Sequence, residues 1–214
     1  MDLDPWEDAS LIAVDLEGSG AQDGEHEAIL EIALVPLVHG HPSPADSYHT
    51  LINPGRPLPR RPWTSPGLTN EALKDAPPLE QIEPELTTRL ADSTIVGHNV
   101  TVDWRLLRRR CPNVQPAALL DTLRLARICL PDGQRKGLQP LLEHYGLVQR
   151  VDELASDSQP HRALWDAFGA ALLLFELIHS APESLPLRTL YRSAVIPIEE
   201  DLTAQSGPEQ LPLL

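Results

Sequence analysis

The chain has 214 residues, 42% of them apolar, and a net charge of −14. That length suits one α/β domain with some additional chain, and no stretch of about 18 apolar residues is present to span a membrane. The acidity excludes a protein that coats nucleic acid through a global basic field, but not an enzyme that grips one strand end.

Met1 to Ser10 is acidic and lacks a basic n-region, so a secretory signal is not expected. Cys111 and Cys129 stand far apart, which fits a reduced cytoplasm and gives no zinc spacing. No Lys or Arg precedes Arg56.

Ser10 to Val14 reads as a short buried strand running into Asp15-Leu16-Glu17, and Gly18-Ser19-Gly20 breaks it. Ala28 to Val38 is a second apolar run, interrupted by Glu31, and Ser47 to Ile52 is a third strand. Strands this close in sequence predict antiparallel pairing. Asn53 to Pro66 is rich in Pro and Arg and reads as a loop. Thr69 caps a short helix over Glu71 to Leu73, and Leu79 to Leu90 is another. Thr94 to Gly97 is a strand ending at His98-Asn99, with a helix over Val102 to Arg110. Leu119-Leu120 is strand-like, Thr122 to Cys129 is helical, and Gly146 closes a helix over Gly137 to Tyr145. Arg162 to His179 is apolar on almost every face, which predicts a buried helix. Residues 1–181 therefore read as one domain, a mixed sheet flanked by helices. Residues 182–214, with several Pro and weak periodicity, read as a partly disordered C-terminal extension.

Asp15 and Glu17 are two residues apart at a strand end, so both carboxylates share one face. Such a pair repels itself unless a cation intervenes, and hard ions such as Mg²⁺ or Mn²⁺ take oxygen ligands. An acidic turn after a strand is the plain alternative. Asp166 lies in the most apolar helix, where burial is expensive unless the acid is paired or binds metal. Its alternative is an exposed first-turn acid favoured by the helix dipole. Asp103 shares a helix face with Leu106 and Leu107 and so points inward. Arg105, Arg108 and Arg109 form the opposite stripe, a solvated face or else a phosphate contact.

His161 precedes Asp166 by five residues, and five helical steps would turn the side chains roughly 140° apart. The two reach one site if His161 lies in a loop after Gln159-Pro160. An imidazole there suits a base that takes a proton from water. In the Pro/Arg loop, Trp63 is a candidate for stacking on a base, with core packing as the alternative, and Arg56, Arg60 and Arg61 either meet phosphates or, as the plainer reading, belong to a surface loop, whereas Trp104 and Trp165 read as core.

Together these residues resemble the DEDDh family of 3′–5′ exonucleases. The first motif is Val14-Asp15-Leu16-Glu17-Gly18-Ser19-Gly20. The second is Gly97-His98-Asn99-Val100-Thr101-Val102-Asp103, and the third is His161-Arg162-Ala163-Leu164-Trp165-Asp166-Ala167. Linking segments such as Leu30-Glu31-Ile32-Ala33 and Leu120-Asp121-Thr122-Leu123 are similar too. The resemblance implies an RNase H-like fold with a central five-stranded mixed sheet. It implies that Asp15, Glu17 and Asp166 bind a first Mg²⁺ or Mn²⁺, with Asp15 bridging to a second and Asp103 helping through water. Two ions about 3.5–4 Å apart would stabilise the attacking and leaving oxygens, with His161 as general base. The implied substrate is the 3′ end of single-stranded DNA or RNA, released as nucleoside 5′-monophosphates. Backbone near Leu16 and Gly18, with His98 and Asn99, would seat the terminal nucleotide.

One departure bears on the substrate: where the family has Thr-Thr-Gly after the first Glu, this chain has Gly18-Ser19-Gly20. With the net acidity, it keeps a phosphodiesterase on dinucleotides or a small nucleotide-like metabolite as the alternative, and a non-enzymatic end-binding module as a third reading. A homodimer, and a protein partner held by the tail ending Glu209 to Leu214, are the candidate assemblies.

Overall fold

The computed structural model describes residues 9–59, 61–62, 64–181 and 186–198. Strand β1 (Leu11–Gly18) pairs antiparallel with β2 (Ile29–Val38), and β2 pairs antiparallel with β3 (His41–Pro42) and β4 (Tyr48–Leu51). On its other side β1 runs parallel to β5 (Thr94–Gly97), which runs parallel to β6 (Ala118–Asp121). β7 (Val195–Ile196) closes the far edge, antiparallel to β6. The sheet order is β3-β2-β1-β5-β6-β7, with β4 also on β2. Strands β1, β2, β4, β5 and β6 make the expected five-stranded centre, and the two-residue strands β3 and β7 extend it to seven.

Helices follow where the periodicity changes. They are α1 (Asn70–Leu73), α2 (Leu79–Leu90), α3 (Thr101–Arg110), α4 (Thr122–Cys129), α5 (Leu138–His144), α6 (Val148–Leu154), α7 (Ala163–His179) and α8 (Leu187–Ala194). Thr69 caps α1 by accepting from the Ala72 amide at 3.1 Å. Gly146, at φ 68°, takes the left-handed turn after α5. Helix α6 is a single short amphipathic segment that buries Val151, too brief for periodicity to announce.

The strand alternation sorts the core into two layers. Leu11, Ala13, Ala33, Val35, Val96 and Leu120 face α7. Ile12, Val14, Ile32, Leu34, Ile95 and Leu119 face the layer of α2 and α3. Helix α7 lies across β1 and β2 with ten buried residues, including Trp165 and Phe168. This alternation sets the site, because continuing β1 by period two from Leu11 and Ala13 puts Asp15 and Glu17 on the α7 face. Continuing β2 back from Val35 and Ala33 puts Glu31 there as well.

Part of the stretch read as an extension is built into this core. Leu190 and Ala194 of α8 are buried, and Ile196 of β7 seals the edge of β6. Residues 182–185 and 199–214, including the Glu209 to Leu214 segment, lie outside the described residues. Among the described residues, no helix is long and apolar enough to cross a membrane.

Candidate active site

Asp15, Glu17 and Asp166 meet where the C-terminal end of β1 faces the first turn of α7. One carboxylate oxygen from each lies within 4.8 Å of the others. Burial first, then the neighbouring acids Asp103, Asp166 and Glu17, hold Asp15 well above the usual carboxylate range. Burial likewise pushes Glu17 up to about 8, against a hydrogen bond from the Ser65 hydroxyl. Asp166 is raised to about 6 by burial, with His161 opposing. Three converging oxygens that ionise only at a cost are relieved by a divalent cation, so the donor set fits a hard metal ion.

Asp103 stands behind this group. It is buried on α3, on the face that also buries Leu106 and Leu107, as its spacing predicts. It accepts the Leu16 amide at 3.3 Å, which fastens α3 to the end of β1. Burial raises it to about 7, partly offset by that amide.

His161 lies outside α7, in the loop expected of it. It sits at φ 65°, a left-handed conformation that a non-glycine residue keeps only when its surroundings impose it. Its amide donates to Asp166 Oδ1 at 3.4 Å, and its exposed ring lines a cavity of about 420 Å³ shared with Asp166, Arg135, Leu138 and Pro160.

Glu31 supplies what the motifs did not announce. The side chain is fully buried, and Arg162 donates to it at 2.7 and 2.8 Å while His49 lies at 2.6 Å. Burial alone would raise its pKa, but His49 and Arg162 hold it below the usual range. Arg162 also donates to the Pro66 carbonyl at 3.3 Å. The segment carrying Ser65, which touches Glu17, is thus tied to the segment carrying His161. The sequence signal was an acid interrupting an apolar strand, beside an Arg following the motif His.

The remaining expected residues line the carboxyl ends of the parallel strands. His98 uses both ring nitrogens internally, toward Thr122 Oγ1 at 2.9 Å and the Lys136 carbonyl at 2.8 Å. Burial lowers its pKa, with the Lys136 carbonyl opposing. Asn99 is exposed at φ 66°, and its amide donates to Asp121 Oδ1 at 2.9 Å. Asp121 also caps α4 through the Leu123 amide. Leu16 is half-buried beside the α3 layer. A side chain at Gly18 would approach Leu106 Cδ2 at 2.9 Å, so Leu106 occupies the space that a Thr there would claim.

The basic candidates turn inward. Arg56 and Arg61 both bind Asp23, at 2.6 and 2.5 Å, so neither stands as an open phosphate contact. Arg105 and Arg109 of the α3 stripe bind buried Glu27 at 3.1 and 2.5 Å, so much of that stripe is a packed ion-pair seam. Trp104 and Trp165 are core, as expected. Arg60 and Trp63 lie outside the described residues.

A family model described as exonuclease, RNase_T, matches residues 12–174. The DNA polymerase III PolC-type of Thermotoga maritima is 34% identical over 165 residues, covering 75% of this chain and 11% of that protein. The PolC-type polymerase of Streptococcus suis is 30% identical over 200 residues, covering 91% and 13%. The chain thus spans little more than a tenth of these relatives. Among solved structures, Exonuclease X in complex with 5′ overhanging duplex DNA aligns with a TM-score of 0.59 at 24% identity, covering 86% of this chain and 99% of that one. The nuclease domain of 3′hExo, a DEDDh family member bound to rAMP, aligns with a TM-score of 0.59 at 15% identity, covering 82% and 94%.

Proposed function

We propose, from the premise that this chain belongs to the RNase_T exonuclease family, that it removes nucleotides from the 3′ end of single-stranded DNA or RNA as nucleoside 5′-monophosphates. The single observation behind this reading is the convergence of Asp15, Glu17 and Asp166 within 4.8 Å, with Asp103 buried behind them and His161 beside Asp166. Asp15, Glu17 and Asp166 would hold Mg²⁺ or Mn²⁺, with Asp103 supporting a second ion through water. Bound there, the cations supply Lewis-acid stabilisation of charge on the phosphoryl oxygens and make a water more acidic.

The chain's own groups then have separate tasks. The exposed His161 ring accepts the proton of the attacking water. The water oxygen bonds to phosphorus as the bond to the 3′ oxygen of the next nucleotide breaks, and that oxygen takes up a proton. Leu16 and Gly18 backbone, with Asn99, seat the terminal nucleotide. His98, with both nitrogens engaged, holds the Asn99 turn and the Lys136 segment in place.

A second reading, a phosphodiesterase on dinucleotides, draws on Leu106 filling the space beside Gly18 and on Arg56 and Arg61 being tied to Asp23. Comparing kcat/KM for dinucleotides and 20-mers with Mn²⁺ separates the two. Equal or better turnover of the 20-mer supports the strand exonuclease, and strong preference for the dinucleotide overturns it.

A further inference from the structure

In a chain of net charge −14, a nucleic-acid strand needs local cations at the site, and Arg56, Arg61, Arg105, Arg109 and Arg162 are already engaged by Asp23, Glu27 or Glu31. Arg135 differs. It is exposed and has no hydrogen-bond or ion-pair partner among the described residues. It also lines the cavity of about 420 Å³ that His161 and Asp166 share.

The segment bearing Arg135 is held firmly. The next residue, Lys136, gives its carbonyl to His98 Nε2 at 2.8 Å and its ammonium to the Pro131 carbonyl at 2.7 Å. The cavity's other walls are the apolar Leu138, Pro140 and Pro160, with Glu143 bound to the Gln139 amide at 3.1 Å. On the β2 side, by contrast, Arg162, Pro66 and Ser65 close the triad against Glu31 and Glu17. For a strand whose scissile phosphate sits at the triad, the Arg135 cavity is an adjoining open space, since Asp166 and His161 line it.

We propose that this cavity is a subsite for the nucleotide next to the scissile bond, with Arg135 binding the phosphodiester one step 5′ of the bond that is cut. It rests on the exonuclease reading above and adds the residue that selects a strand over a single nucleotide ester. A guanidinium suits this task because its donors match two phosphate oxygens at once.

The test compares Arg135→Gln with Arg135→Lys, and with Arg192→Gln on α8 as a control of equal charge change. Each is assayed with Mn²⁺ on a 5′-labelled 10-mer and on thymidine 5′-(p-nitrophenyl phosphate), with folding checked by thermal unfolding. The expected result is that R135Q lowers the ratio of kcat/KM for 10-mer over ester by about tenfold. Its salt dependence on the 10-mer should become shallower by about 0.7 in log–log slope. R135K should retain part of the ratio, and R192Q should leave it in place. An unaltered ratio in R135Q, or an equal fall in R192Q, overturns the subsite. A wild-type protein that cleaves the ester but shortens no oligonucleotide overturns the strand-exonuclease reading itself, and the subsite with it.

Discussion

Arg162 reaches Glu31 across 131 positions of sequence and grips it with two hydrogen bonds of 2.7 and 2.8 Å. The pair joins β2 to the turn between His161 and α7. Its buried carboxylate stands in register with Glu17 on the neighbouring strand.

Removing the cation should be far worse than removing the pair. Arg162→Met leaves the Glu31 carboxylate buried with only His49 and the Ala163 amide to partner it, an expected loss of about 3–5 kcal/mol in unfolding free energy. Adding Glu31→Leu to the same chain should recover much of that loss, because no buried charge is then stranded. Urea denaturation of the two single variants and the double variant measures the coupling. Additive losses would contradict the clamp.

The acid cluster predicts an unusual pH dependence for the metal-free protein. Asp166, Asp103 and Glu17, at about 6, 7 and 8, and Asp15, also raised, bind protons more tightly folded than unfolded. Their contribution is full below the ordinary carboxylate range and is lost as pH rises through the raised values. The melting temperature without metal should therefore fall between about pH 5.5 and 8. Asp23 and Glu31, both held low, titrate below this window and oppose it only in acid. Added Mn²⁺ should stabilise more at pH 8 than at pH 6, since deprotonated ligands bind it. Scanning fluorimetry at the two pH values, with and without Mn²⁺, checks the sign.

Asp15→Asn separates stability from activity. It removes one repelling carboxylate, so the metal-free protein should be more stable than the wild type at pH 8, with a shallower pH slope. The same change should lower nucleotide release by about a hundredfold or more. A variant that is both less stable without metal and fully active would refute the assigned role.

Much of this arrangement was legible along the chain, for a local reason. Period two fixed the shared face of Asp15 and Glu17, and helical spacing placed Asp103 with Leu106 and Leu107. The five-residue gap before Asp166 required His161 to sit in a loop. What could not be read depends on partners distant in sequence. Nothing local says that Arg162 belongs to Glu31, that Arg109 binds Glu27, or that Arg56 and Arg61 fold back on Asp23. The strand β7 and helix α8 escaped notice because each is short and finds its partner, β6 or α4, only in the folded sheet.

Gly18 offers a test of packing beside the site. A Thr at this position would press on Leu106 Cδ2. Gly18→Thr alone should cost about 1–3 kcal/mol by overpacking. Combined with Leu106→Ala, the loss should be smaller than the sum of the two changes. Chemical denaturation of the four proteins in the cycle gives the coupling, and a coupling of zero would show that the two positions do not compete for space.

The most direct measurement of the central claim is a time course on a 5′-labelled single-stranded 20-mer with Mn²⁺, comparing wild type with Asp15→Asn and identifying the released product. Stepwise shortening from the 3′ end, release of nucleoside 5′-monophosphates, and loss of both in Asp15→Asn are the results expected. An intact 20-mer, or shortening that Asp15→Asn leaves undiminished, would contradict the account.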